Sequence, residues 1–148
     1  MKILAVLLAL SFIACNASTK QNQEVFQPNG KAIRGFDAVA FHTDKKPLMG
    51  NEAYSYRWKD AEWLFATQAN LDSFKRAPEK YAPQYGGYCA FGTAEGHKAP
   101  TETDTWTVID GKLYFNYNQE VKSMWSKDTK GYIEKADKNW PRIRNDKF

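Results

Sequence analysis

From Ala53 to Trp58 the chain alternates, with Tyr54, Tyr56 and Trp58 on one face and Ser55 and Arg57 on the other. After the polar break Lys59-Asp60, the β-rich run resumes over Trp63 to Ala66, and the two segments together predict a hairpin. The period then changes. Thr67 is a suitable N-cap for a helix to about Arg76 with Leu71 and Phe74 facing inward, stopped by Pro78. Tyr85 to Gly92 is rich in glycine and aromatics and carries no clear period. A second hairpin follows, Trp106 to Ile109 and Lys112 to Tyr117, joined by the two-residue turn Asp110-Gly111. In that register Val108 faces Leu113 and Trp106 faces Phe115, which makes one side apolar. Asn118 or Asn116 caps a helix holding Val121 and Trp125. Asp128 caps another, with Tyr132, Ile133 and Ala136 on one stripe and Pro141 after its end. Two antiparallel hairpins with short helices and no βαβ rhythm indicate an α+β fold, one small domain.

The N-terminus is of a different kind. Lys2 precedes an apolar run from Ile3 to Ala14 broken only by Ser11, too short to span a bilayer but suited to a secretory signal. Ala14 then meets Cys15 and a polar stretch, as in a bacterial lipobox, where the cysteine is lipidated and becomes the new N-terminus. Simple cleavage after Ala17 is the rival. The expected organisation is a signal segment with lipobox over 1–15, a flexible tether over 16–34 carrying Pro28-Asn29-Gly30, the domain over 35–141, and a basic tail over 142–148. Export places the protein in the periplasm or cell envelope, held to the membrane through a lipid anchor on Cys15.

Composition narrows the functional classes. The chain of 148 residues carries a net charge of +4, and its basic residues gather near the C-terminus, interleaved with Glu134, Asp137 and Asp146. That pattern fits a solvated helix face near anionic headgroups better than nucleic-acid binding, for which no motif is present. Five tryptophans, Trp58, Trp63, Trp106, Trp125 and Trp140, allow a compact core without disulfides. There are two cysteines, and a lipidated Cys15 leaves Cys89 as a lone thiol in an oxidising compartment.

The stretches Gly35-Phe36-Asp37-Ala38-Val39-Ala40, Tyr54 through Phe65, and Phe74-Lys75-Arg76-Ala77-Pro78-Glu79-Lys80-Tyr81 resemble the YHS domain family. With Tyr85 to Ala90 and Trp106 to Tyr114 added, residues 35 to 141 look like the longer, exported YHS-domain proteins of bacterial envelopes. The resemblance implies a treble-clef-like core and, for the family's short members, cysteines that hold a metal ion. Here the family's first ligand cysteine is replaced by Ala40, the one after the hairpin by Ala66, and the one at the helix start by Asn70. Alanine has no donor atom and a neutral amide is a poor ligand for soft metals, so the family's thiolate site is missing.

Three other residues are candidates for a metal site: Cys89, with His97 eight residues on in a loop, and His42 after the apolar Val39-Ala40-Phe41, read as a strand. A thiolate with imidazole suits copper or zinc. The plainer readings are a buried, inert cysteine that packs and histidines that are exposed and solvated. Asp37 lies in an apolar stretch, where its structural role is to accept backbone hydrogen bonds and fix the first turn. Tyr54, Tyr56, Trp58 and Trp63 are candidates to line a ligand pocket, although hairpin aromatics more often serve a core. No catalytic triad, phosphate loop or dinucleotide fingerprint occurs. The leading expectation is a non-enzymatic envelope protein that binds a small molecule or metal ion. The alternatives are a thiol-dependent redox protein or enzyme centred on Cys89, and a structural adaptor for an envelope partner.

Overall fold

The computed structural model describes residues 23–148. The expected signal segment, Cys15 and the first part of the tether lie outside the described residues. The first helix, α1 (Ala38–Thr43), occupies the stretch expected to be a strand. Asp37 starts it as N-cap, its carboxylate accepting the N–H groups of Val39 and Ala40. Ala38, Val39, Ala40 and Phe41 are all buried, so this helix shows no amphipathic period. A short run of apolar residues cannot by itself distinguish a buried helix from a strand.

Strands β1 (Asn51–Trp58) and β2 (Ala61–Phe65) form the first hairpin, with Tyr56 opposite Trp63 and Trp58 opposite Ala61. Helix α2 (Gln68–Arg76) follows as expected, the Thr67 hydroxyl accepting the Asn70 N–H at 3.1 Å and Leu71 and Phe74 buried. Pro78 ends it and opens the single turn α3 (Pro78–Tyr81), where proline's missing N–H is harmless. The segment without a period folds as a 3₁₀ turn, Gln84–Gly87, and a short helix α4 (Ala90–Ala94).

Strands β3 (Glu102–Ile109) and β4 (Lys112–Asn116) make the second hairpin, and the expected Val108–Leu113 pair is present. The register shifts between Glu102 and Thr107, next to the expected Trp106–Phe115 pair. The cause is a side chain entering the ladder: the Thr105 hydroxyl accepts the Asn116 N–H at 2.8 Å. Strand β4 is also buried on both sides rather than one, since Leu113, Tyr114 and Phe115 are all inaccessible. The two hairpins remain separate two-stranded sheets.

Asn118 caps α5 (Gln119–Ser126), taking the Val121 N–H at 2.9 Å. Asn116 is instead a buried strand residue. Asp128 caps α6 (Thr129–Ile143), which runs through Pro141 instead of ending before it. Proline forfeits only one hydrogen bond this close to the helix end, and the Arg144 N–H to Trp140 carbonyl bond closes the last turn.

Packing produces two apolar clusters. In the first, Phe41, Trp63, Phe65, Phe74, Leu113 and Phe115 fill the space between the hairpins under α1 and α2. In the second, Tyr85, Tyr114, Trp125 and Ala136 lie under α4, α5 and α6. Each large side chain buried there contributes roughly 1.5–3 kcal/mol, which supports a domain without disulfides.

Both expected boundaries shift outward. Residues 23–34 are not a tether: Val25, Phe26, Ala32 and Ile33 are buried in the core. Residues 142–148 are not a free tail either. Ile143 is buried, and the Phe148 ring meets Tyr88 at 5.1 Å and Phe26 at 6.2 Å. Both segments are polar on average, and their few apolar residues find partners only in three dimensions.

Candidate functional site

Asp37 is fully buried, and its carboxylate joins three segments. Oδ1 accepts the Val39 N–H at 2.8 Å and the Ala40 N–H at 3.2 Å. Oδ2 accepts the Ala66 N–H at 2.8 Å and the Asn70 side-chain amide at 2.7 Å. A carboxylate offers about four lone-pair sites, so all of them are taken. Asp37 thus caps the first turn of α1 and also ties β2 and α2 to it.

Cys89 is the N-cap of α4 and 1% exposed. Its sulfur accepts the Gly92 N–H at 3.4 Å and donates to Oδ1 of Asn116 at 3.6 Å. Burial pushes the thiol pKa up, opposed by the backbone N–H groups of Gly92, Tyr117 and Phe91. A poorly solvated thiol of that kind is a weak nucleophile, which counts against a reading centred on Cys89 chemistry. His97 is exposed, its backbone N–H donating to the Gly92 carbonyl at 3.0 Å. His42 belongs elsewhere, on α1, with its ring nitrogen 3.2 Å from the Tyr81 carbonyl and its ring edge-on to Tyr81. Among the described residues no group of three or more His, Cys, Asp or Glu stands together as a metal site.

A cleft of about 310 Å³ opens between the first hairpin and helix α6. One wall is the tip of the first hairpin, with Trp58, Lys59 and Trp63. The opposite wall is the end of α6, with Asp137, Trp140 and Pro141, and Glu24, Val25 and the turn Pro83 to Gly86 close the rest. The glycine-rich segment makes this closure possible. Gly86 has φ +61°, and a Cβ there would come within 1.8 Å of the Glu24 carbonyl oxygen, so only glycine lets residues 24–26 dock. The Phe26 N–H then donates to the Gly86 carbonyl at 2.9 Å.

The cleft is aromatic and charged. The Lys59 ammonium lies 4.7 Å from the centroid of the Trp58 ring. It pairs with Glu24 at 2.8 Å and with Glu79 at 3.7 Å. The Tyr85 hydroxyl donates to Asp137 at 2.8 Å. Burial first, and that bond second, hold the phenol far above its ordinary range, so Tyr85 remains a donor at any physiological pH. Of the four hairpin aromatics proposed from sequence, Trp58 and Trp63 line the cleft, while Tyr54 and Tyr56 pack against the core. Glu24, Lys59, Asp137 and Trp140 were not legible as site residues. The one local signal was Lys59-Asp60, a two-residue turn with neither glycine nor asparagine.

Residues 39–85, from α1 through both strands of the first hairpin to the turn at Tyr85, match the family model described as YHS domain. The chain carries a YHS domain. No curated protein matches the chain, and no solved structure does. The YHS domain supplies one wall of the cleft and its turn, while the segment before it and helix α6 supply the remainder.

The metal implied by resemblance to the YHS family can be tested against these residues. Ala40, Ala66 and Asn70 do converge on one point, the Asp37 carboxylate. Two of the three have no side-chain donor atom, and the carboxylate at their centre has already spent its lone pairs on N–H groups. These residues do not fit a metal ion. A hydrogen-bonded junction stands where the resemblance implies a thiolate site.

Proposed function

We propose that this protein is an exported, lipid-anchored binding protein rather than an enzyme, and that its globular part holds a small ligand in the cleft between the YHS hairpin and helix α6. The observation that carries the reading is the cleft itself, with the half-buried faces of Trp58 and Trp140 and polar groups converging between them. Ligand sites are concave, largely aromatic or apolar, and supplied with a few oriented polar groups. The carboxylates here are committed to Lys59 and to Tyr85, which suits recognition of a ligand rather than proton transfer.

Export and anchoring are supported by Lys2, the apolar run to Ala14 and Cys15 directly after it. The test has two arms. Amide spectra of the 23–148 region, screened against a mixed small-molecule library in wild type and Trp140→Ala, should show shifts confined to the cleft and lost in the variant. Shifts elsewhere, or none for any compound, overturn the binding reading. Cys15→Ser should abolish lipid labelling in a bacterial host, and a wild type that takes up no lipid overturns the anchor.

A further inference from the structure

We infer that the cleft recognises an organic ammonium ion, and that this ligand and the Lys59 ammonium compete for the same place. The inference rests on the binding reading above and specifies its chemistry. Among the described residues, three carboxylates line the cleft, Glu24, Glu79 and Asp137, against the single cation Lys59. The excess is therefore negative, and an anion entering would meet it unfavourably. A cation meets carboxylates on two sides and aromatic faces on others, the arrangement used to bind ammonium groups.

The protein already shows this chemistry at work. Lys59 brings its own ammonium over Trp58 and between Glu24 and Glu79. To do so it sits in a hairpin turn where both central residues are left-handed, Lys59 at φ 50° and Asp60 at φ 57°. Such a turn favours Asn-Gly, and non-glycine residues there carry backbone strain. Lys59 pairs with the walls through a long flexible side chain from an exposed turn, so its ammonium is able to give way. An ammonium ligand would take over the carboxylates and the ring while Lys59 swings to water.

The experiment is titration of the folded protein with choline, putrescine, 3,3-dimethylbutan-1-ol (the neutral match of choline), glucose and acetate, followed by tryptophan fluorescence and amide shifts. Choline or putrescine should bind saturably at the cleft, at least about tenfold more tightly than the neutral match. Lys59→Gln should tighten that binding by about tenfold, and the pair Glu79→Gln with Asp137→Asn, both on exposed side chains, should weaken it by a similar factor. Equal or tighter cleft binding of the alcohol or glucose, with no effect of Lys59→Gln, overturns the ammonium assignment and leaves the cleft as a neutral-ligand site. Acetate binding that Lys59→Gln abolishes overturns it in favour of an anion. No response to any of the five overturns it too, and the wider library screen then decides separately whether the cleft binds anything.

Discussion

The side-chain amide of Asn70 donates a 2.7 Å hydrogen bond to Oδ2 of Asp37, across 33 residues of sequence and inside the protein. With the three backbone N–H groups on the same carboxylate, it ties the start of α1, the end of β2 and the start of α2 into one junction. The junction needs an acceptor with four lone-pair positions.

Asp37→Asn replaces one of those oxygens with an NH₂ group that faces other donors. The variant should lose about 3 kcal/mol of stability, since a buried donor without an acceptor forfeits its desolvation energy and a charge-assisted bond is lost as well. Urea unfolding of wild type and variant reads this directly. Coincident midpoints would mean that the carboxylate does not hold the three segments.

Cys89 should behave as a packing residue. Burial raises its thiol pKa, so the thiolate population at pH 8 is smaller than in the unfolded chain. Iodoacetamide should label the native protein about 100-fold more slowly than the protein in denaturant, because labelling waits on opening. Comparable rates would place the thiol at the surface and reopen the redox reading.

Gly111 has φ +73° in the Asp110-Gly111 turn, and a Cβ added there would meet nothing within 4 Å. Any loss on substitution is therefore a backbone effect. Gly111→Val should cost about 1–3 kcal/mol and Gly111→Asn much less, because asparagine tolerates the left-handed region. Thermal melts of the two variants should separate in that order, and equal melting would rule out the strained backbone as the cause.

His42 should make stability depend on pH. Burial holds its imidazole below the ordinary 6.5; the bond to Tyr81 opposes this, and Lys45 and Lys80 reinforce it. As pH falls the unfolded chain takes up this proton before the folded one does. Stability should therefore decline below about pH 6.5 and level off once the folded imidazole is protonated too. Melting temperatures between pH 7.5 and 5.5 should fall less steeply in His42→Gln than in wild type. Parallel slopes would remove His42 as the source.

Local pattern was enough for the elements whose cause is local. The two hairpins, helix α2 with its Thr67 cap, and the caps at Asn118 and Asp128 could be read because turn geometry, alternation and capping bonds involve residues within a few positions of one another. The resemblance to the YHS family was legible for the same reason, resting on contiguous stretches around α1, the hairpin and α2.

Other features depended on where distant segments meet. Helix α1 was read as a strand because burial on every side erased its period, and the boundary segments were read as tether and tail because their average polarity hid Val25, Phe26, Ile143 and Phe148. The cleft shows this most fully. Glu24 and Lys59 are 35 positions apart, and Tyr85 and Asp137 are 52 apart. The sequence by itself determined both hairpins, helices α2, α5 and α6, and the aromatic supply of this α+β protein. Only the tertiary structure decided which aromatics stay at a surface and which carboxylates face one ammonium, because both depend on the packing of segments that no local period connects.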